Sequence, residues 1–200
     1  ATGASTEKEV ELIIKKVFKI NNKIILMQCN TNYTASNENF KFINLEVLNF
    51  YKKKYPNVIL GLSDHTLGSE TVLGAVALGV RVVEKHFTDS NTRSGPDHLF
   101  SMNPKTWKEM VLSCRKLESS LGDGRKKIEK NELQSAIVQR RAIRANRFIK
   151  KGEIIKKKDL TNLRPWPKNA LSPYEFNKIL NKKAKKNINY HEIINLTNTI

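Results

Sequence analysis

The chain has 200 residues, 39% hydrophobic and 28% charged, which is the balance of a globular protein with room for one medium domain or a medium and a small one. No apolar run approaches the roughly 18–20 residues that cross a bilayer, and Ala1 to Glu11 lacks the charged start and apolar core of a secretory leader. No membrane partner is therefore expected, and the expected location is the cytoplasm. Cys29 and Cys114 stand far apart without a CxxC, which excludes a disulfide framework and a cysteine-based zinc site, so both read as free, buried thiols.

The formal net charge is +17, and it is unevenly spread. Residues 1–121 carry 16 basic and 12 acidic side chains, whereas residues 122–200 carry 20 and 7. Such an excess suits a basic protein that binds nucleic acid or another polyanion, and that is the alternative reading. The residues favour a composition rich in Lys, Asn and Ile throughout, because no aromatic or glycine interleaving offers platforms for stacked bases. A nucleic-acid partner is not expected.

In chain order, Val10, Ile13, Ile14 and Val17 recur at helical spacing between Ser5 and about Ile20, with Thr6 and Glu9 placed as a capping box. Lys23 to Gln28 is a short, nearly continuous apolar run, the pattern of a strand buried on both faces. Phe40, Ile43, Val47 and Phe50 mark a second helix, Asn57 to Leu62 a second strand, Thr71 to Leu78 a third helix and Val80 to Lys85 a third strand. In the fourth helix Asn103 is the cap, Pro104 suits the first turn and Gly122 the exit, with Trp107, Met110, Val111, Cys114, Leu117 and Leu121 as its apolar stripe. Strand–helix alternation with short connections demands a parallel sheet. A (β/α) barrel and an open doubly wound sheet both satisfy it, and the lack of a Gly-rich strand-to-helix turn favours the barrel. The predicted domains are 1–121, a polar linker over 122–139, and 140–200. In the last of these Ala145, Ile149, Glu153, Ile154 and Ile155 recur 39 residues later as Ala184, Ile188, Glu192, Ile193 and Ile194, which suggests two pseudo-symmetric halves closing over one small core.

In a parallel barrel the working side chains gather at the C-terminal ends of strands and in the following loops. That rule selects Cys29 to Tyr33, Ser63 to Thr66, Glu84 to Phe87 and Gly95 to His98. His65 and His86 leave consecutive strands at the same edge, and neighbouring strands lie about 4.8 Å apart, so the two imidazoles can share one metal ion. Two protein ligands would leave positions for water and substrate, which describes an exchangeable Mn²⁺ or Mg²⁺ better than a structural zinc. Each histidine alone reads first as a hydrogen-bonded, partly buried residue, and only the two at matching strand ends bring the metal reading level with that one. Ser63 with nearby backbone N–H groups can hold a phosphate, and Asp97 can accept hydrogen bonds from sugar hydroxyls or serve as an ordinary turn residue.

Gly61-Leu-Ser-Asp-His-Thr-Leu67, Ala75-Val-Ala-Leu-Gly79, Glu84-Lys-His-Phe-Thr88, Gly95-Pro-Asp-His98, Ser101-Met-Asn-Pro104 and Leu121-Gly-Asp-Gly124 together resemble the motifs of the N-acetylneuraminate (sialic acid) synthase family, which includes legionaminic and pseudaminic acid synthases. Ile149 to Ile155, Asp159-Leu160 and Arg164-Pro165 resemble that family's small antifreeze-like (SAF) domain. The resemblance implies an α/β fold, the C-terminal portion of a (β/α)8 TIM barrel followed by an SAF domain of β-clip type. It implies a transferase that condenses phosphoenolpyruvate with an N-acetylated hexosamine to a nine-carbon 2-keto acid and phosphate. By matching position, His65 and His86 would hold the metal, Ser63 would meet the phosphate of phosphoenolpyruvate, and Thr31, Tyr33 and Asp97 would line the amino-sugar site. Arg164 would reach into the barrel of the other subunit of a swapped homodimer. Trp166 and Pro167 depart from the family's glycine-containing turn and would reshape the loop that carries Arg164. Ala1 to Gly3 match the end of the family's fifth strand, so the expectation is a fragment without synthase activity of its own.

Overall fold

A computed structural model describes residues 1–200, which divide into two compact units, Ala1–Arg125 and Lys126–Ile200. In the first unit, helix α1 (Glu7–Val17) begins at Thr6, whose hydroxyl accepts from the Glu9 N–H while Glu9 Oε2 accepts from the Thr6 N–H at 2.7 Å. Both orphan donors are thus satisfied at the first turn. Val10 and Ile14 are buried, but Ile13 and Val17 of the same stripe are 55% and 36% exposed. The stripe is wider than the sheet edge it covers, and only its centre line finds partners.

Strands β1 (Ile25–Cys29), β2 (Ile59–Asp64) and β3 (Val82–Lys85) pair in parallel in the order β1-β2-β3. Met27, Gly61 and Val82 stand side by side, as do Cys29, Ser63 and Glu84. The N–H and hydroxyl of Thr2 donate to the Met27 carbonyl at 3.0 and 2.8 Å, so the first residues lie along the outer edge of β1. A Cβ at Gly61 would come within 2.7 Å of Met27 Cγ, so the bare glycine lets Met27 lie across β2.

Helices α2 (Val47–Lys54), α3 (Glu70–Ala77) and α4 (Pro104–Ser120) follow the strands in turn. Leu26, Leu60 and Leu62 pack toward the helices in one core with Val10, Ile14, Leu48, Val72, Val76 and Met110. Sequential strand order with the helical core on one face is the winding of a barrel segment. A doubly wound sheet would carry helices on both faces.

Three expectations need correction. The first two strands are buried on both faces except at their starts, where Ile25 and Ile59 are 47% and 48% exposed on the side away from the helices. The predicted second helix splits into a 3₁₀ segment, Asn37–Phe42, and α2, because Asn44 takes a left-handed conformation (φ 50°). Its buried residues are consequently Leu48 and Tyr51, with Phe50 exposed, one position along from the expected stripe. Helix α4 has the expected cap, Asn103 Oδ1 accepting from the Thr106 N–H at 3.0 Å. Of its stripe, however, only Met110 is buried; Trp107, Cys114 and Leu117 are partly so, and Val111 and Leu121 are exposed.

In the second unit the expected linker contains a short helix, α5 (Leu133–Val138), before the antiparallel pair β4 (Ala142–Ala145) and β5 (Leu160–Leu163). The rest is held by single bridges and turns, arranged by the 39-residue repeat. Repeat mates Ile149 and Ile188 exchange both backbone hydrogen bonds at 2.9 Å. The Ala145 N–H donates to Glu192 O at 2.9 Å, and its mate Ala184 donates to Glu153 O at 3.0 Å. The Lys150 N–H donates to the Glu153 carboxylate at 3.0 Å, and the Asn189 N–H to the Glu192 carboxylate at 2.9 Å. Gly152 (φ 83°) and His191 (φ 61°) occupy the same left-handed turn in the two halves. Ile149, Ile155, Ile179, Ile188 and Ile194 form the core at 0% exposure, so the repeat closes two halves over one centre.

Candidate active site

Strand alternation puts Cys29, Ser63 and Glu84 on the face away from the helices, and His65 and His86 continue that face just past the ends of β2 and β3. The two imidazole centroids are 5.1 Å apart. His65 is buried, and its Nδ1 lies 2.8 Å from the Asn30 carbonyl oxygen. A carbonyl only accepts, so Nδ1 carries the proton and Nε2 keeps its lone pair. His86 Nδ1 stands 3.3 Å from Asp97 Oδ2. Tyr33 packs against both rings, tilted at 4.3 Å from His65 and edge-on at 5.5 Å from His86, and Phe100 flanks His86 at 5.0 Å.

Local sequence explains how the loops hold these groups. After β1, Asn30 Oδ1 accepts from the Asn32 N–H at 3.0 Å and Asn32 Oδ1 from the Thr34 N–H at 2.9 Å, two successive side-chain turns that present Tyr33. After β3, Asn91 donates to the carbonyls of His98 and Ser101 at 2.8 and 2.7 Å, which folds the loop so that Asp97 returns to His86. Thr31 is exposed, and its Cγ2 would lie 2.2 Å from a Cβ at Gly3, so the glycine makes room for it against the first residues.

Four of the seven residues singled out from the sequence therefore meet in one place: His65, His86, Tyr33 and Asp97. Ser63 lies deeper on the same face, 3% exposed, and its hydroxyl donates to Glu84 Oε1 at 2.8 Å. Arg164 belongs to the second unit, exposed immediately after β5. There the Trp166 backbone N–H donates to Ile137 O at 2.8 Å and the Arg140 guanidinium lies 4.3 Å from the Trp166 ring, so Trp166 ties the Arg164 loop to α5.

Glu84 was missed, although it had a signal: Ser63 and His65, like Glu84 and His86, are two apart on a strand and share a face. The Asn30 carbonyl and Phe100 had none, since a backbone acceptor carries no residue signature and Phe100 arrives only when its loop folds.

No third His, Cys, Asp or Glu joins His65 and His86 in a metal-binding cluster. Two imidazoles, one with Nε2 left as an acceptor, fit an ion that takes its remaining ligands from water and substrate.

A NeuB family model matches residues 1–126, and an SAF domain model matches residues 140–197. The chain belongs to the NeuB family. It is 36% identical over 197 residues to the N,N'-diacetyllegionaminic acid synthase of Campylobacter jejuni, covering 97% of this chain and 57% of that one. It is 35% identical over 196 residues to a pseudaminic acid synthase of the same species, covering 97% and 55%. Among solved structures, a sialic acid synthetase of Leptospira borgpetersenii in complex with citrate superposes with a TM-score of 0.57 at 30% identity, over 66% of this chain and 45% of that one. This NeuB chain thus spans about half the length of the curated relatives it matches, and its fold is the family's barrel segment with an SAF domain. No helix is long and apolar enough to cross a membrane.

Proposed function

We propose that this chain supplies the histidine-bearing half of the barrel and the SAF domain of a synthase that condenses phosphoenolpyruvate with an N-acetylated hexosamine, in the cytoplasm. The observation that carries the proposal is the His65–His86 pair, 5.1 Å apart and packed against Tyr33 on the open face of the sheet. Family membership favours it over the polyanion-binding alternative.

In this reading C3 of phosphoenolpyruvate attacks the open-chain aldehyde of the sugar, water adds at C2, and inorganic phosphate leaves, giving the 2-keto acid. His65 and His86 would hold Mn²⁺ or Mg²⁺, which supplies Lewis acidity toward the aldehyde when bound. The Asn30 carbonyl fixes the His65 tautomer with Nδ1 protonated, which would leave the Nε2 lone pair for the ion. Asp97 and Tyr33 orient the sugar hydroxyls by accepting and donating hydrogen bonds at the rim. Ser63 has one hydroxyl proton, and that proton is directed at Glu84, so meeting the phosphate requires the hydroxyl to turn away from the carboxylate. Arg164 supplies a cation for an anionic substrate group within a homodimer.

Mn²⁺ titration of the 200-residue chain, followed by water-proton relaxation, tests the metal pair. Binding that disappears in the His65→Ala/His86→Ala variant is the expected result, and undiminished binding in that folded variant would overturn the assignment. Phosphate release from phosphoenolpyruvate with a panel of N-acetylated hexosamines is expected to be absent for this chain alone. It is expected to appear when the preceding portion of the Campylobacter jejuni legionaminic acid synthase is fused at Ala1.

A further inference from the structure

On the far side of the sheet from the histidines, Lys85 Nζ lies 2.6 Å from Asp64 Oδ2, the two side chains being 1% and 0% exposed. The Asp64 carboxylate also accepts the Thr66 N–H at 3.1 Å, the Thr66 hydroxyl at 2.9 Å and the Thr71 hydroxyl at 2.5 Å. Lys85 Nζ donates in addition to the Thr66 carbonyl at 2.7 Å. Every charge in this cluster is met, yet a buried ion pair is a poor stabiliser, since desolvation cancels most of its attraction and an apolar pair of similar volume serves as well or better. Its presence calls for a geometric reason.

The register offers one. Asp64 and Lys85 are direct partners across β2 and β3, and each immediately precedes a histidine, His65 and His86. Because successive side chains alternate between faces, a pair locked on the helix side dictates where the next two side chains leave on the other side. Thr66 carries the restraint past His65, since its N–H, hydroxyl and carbonyl are all bound to the same charged pair, while Thr71 anchors the cluster to α3. His65 is thereby held from both flanks.

We infer that the buried Asp64–Lys85 pair, with Thr66 and Thr71, is a positioning clamp that sets the spacing and orientation of His65 and His86. The inference rests on the reading of those histidines as the working pair, and its test separates the two. In the full 200-residue chain, Asp64→Leu/Lys85→Met removes both charges while keeping bulk. Thr71→Val removes one hydrogen bond and decides by the same signals if the double variant does not fold.

The first readout is metal-free: the ¹H–¹⁵N resonances of the imidazoles, in which His65 Nδ1–H bound to the Asn30 carbonyl gives a protected ring signal. The expected result is a folded variant in which that signal is lost or displaced. The second readout is Mn²⁺ affinity, expected to fall about 10- to 100-fold, the usual effect of disturbing groups that orient a ligand. A folded variant with the parent's ring signals overturns the clamp. If the parent chain binds no Mn²⁺ but the ring signals still move, the metal assignment fails and the clamp stands.

Discussion

The two units reach a dry interior by different routes. In the first, regular strands and helices bury one face of the sheet, while the other face keeps Ile25 and Ile59 half exposed and carries His65, His86 and Tyr33 at its end. In the second, two four-residue strands and a set of single bridges enclose six isoleucines at 0% exposure. Regular secondary structure is therefore not what measures burial here. The repeat lets each half pair the other's backbone groups, as Ile149 and Ile188 do, so turns can line a core in place of regular strands. The open face of the barrel segment is where chemistry is possible, and the closed repeat is where packing is complete.

The sharpest break of this comparison is Ile149→Ala. It empties a site at the twofold centre of the smaller unit and is expected to cost about 2–5 kcal/mol. A unit of this size has little stability to spare, so a thermal scan should show the second unit losing its cooperative transition while the transition of the first unit stays in place.

Acid should discriminate next. Burial pushes the Asp159 carboxyl up, but the Arg147 guanidinium, the Lys156 N–H and neighbouring positive charge outweigh it and hold it below the ordinary carboxylate range. Glu153 is held down chiefly by Arg147 and then by the Lys150 N–H. A depressed folded value adds stability above the unfolded value, near 4, and that stability is lost as pH falls through the folded one. The second unit should therefore unfold in acid below about pH 4, and Arg147→Met should move its midpoint upward, as followed by circular dichroism. In the first unit Glu11 is held down to about 2 by Lys15 and Lys54, but this cluster lies on the surface between α1 and the end of α2, where solvent and salt screen it. Lys54→Met should leave the acid midpoint of that unit nearly unmoved.

A smaller effect compares the halves of the repeat. Gly152 and His191 share one left-handed turn, and only glycine adopts it without strain. His191→Gly is expected to raise the stability of the second unit by about 1 kcal/mol, read from denaturant midpoints. Smallest of all, Ile13→Ser on the uncovered side of α1 should change stability by no more than about 0.5 kcal/mol. A larger loss would show that this side of the helix is packed.

Much of this was legible in the residues. Thr6 with Glu9, Asn103 with Pro104, and the 39-residue repeat are local or self-similar signals, and each maps onto an observed cap or pairing. The convergence of His65 and His86 was readable because both follow apolar runs that become adjacent parallel strands. Val17 and Val111 were misplaced because a periodic stripe marks which side of a helix is apolar, not how wide a partner will cover it. Asn44 broke the second helix through a backbone state that its neighbours do not announce.

What the sequence determined by itself, then, was the strand–helix alternation of the first unit, the starts of α1 and α4, the internal symmetry of the second and the family, since these depend on residues near one another or on a repeated pattern. Only the tertiary structure decided that the Ser63 hydroxyl is directed at Glu84, that Asn30 sets the His65 tautomer, and that Asp64 and Lys85 face each other behind the histidines. Each of those facts joins positions 21 or 35 residues apart through strand register, and register is settled by the packing of a whole face at once.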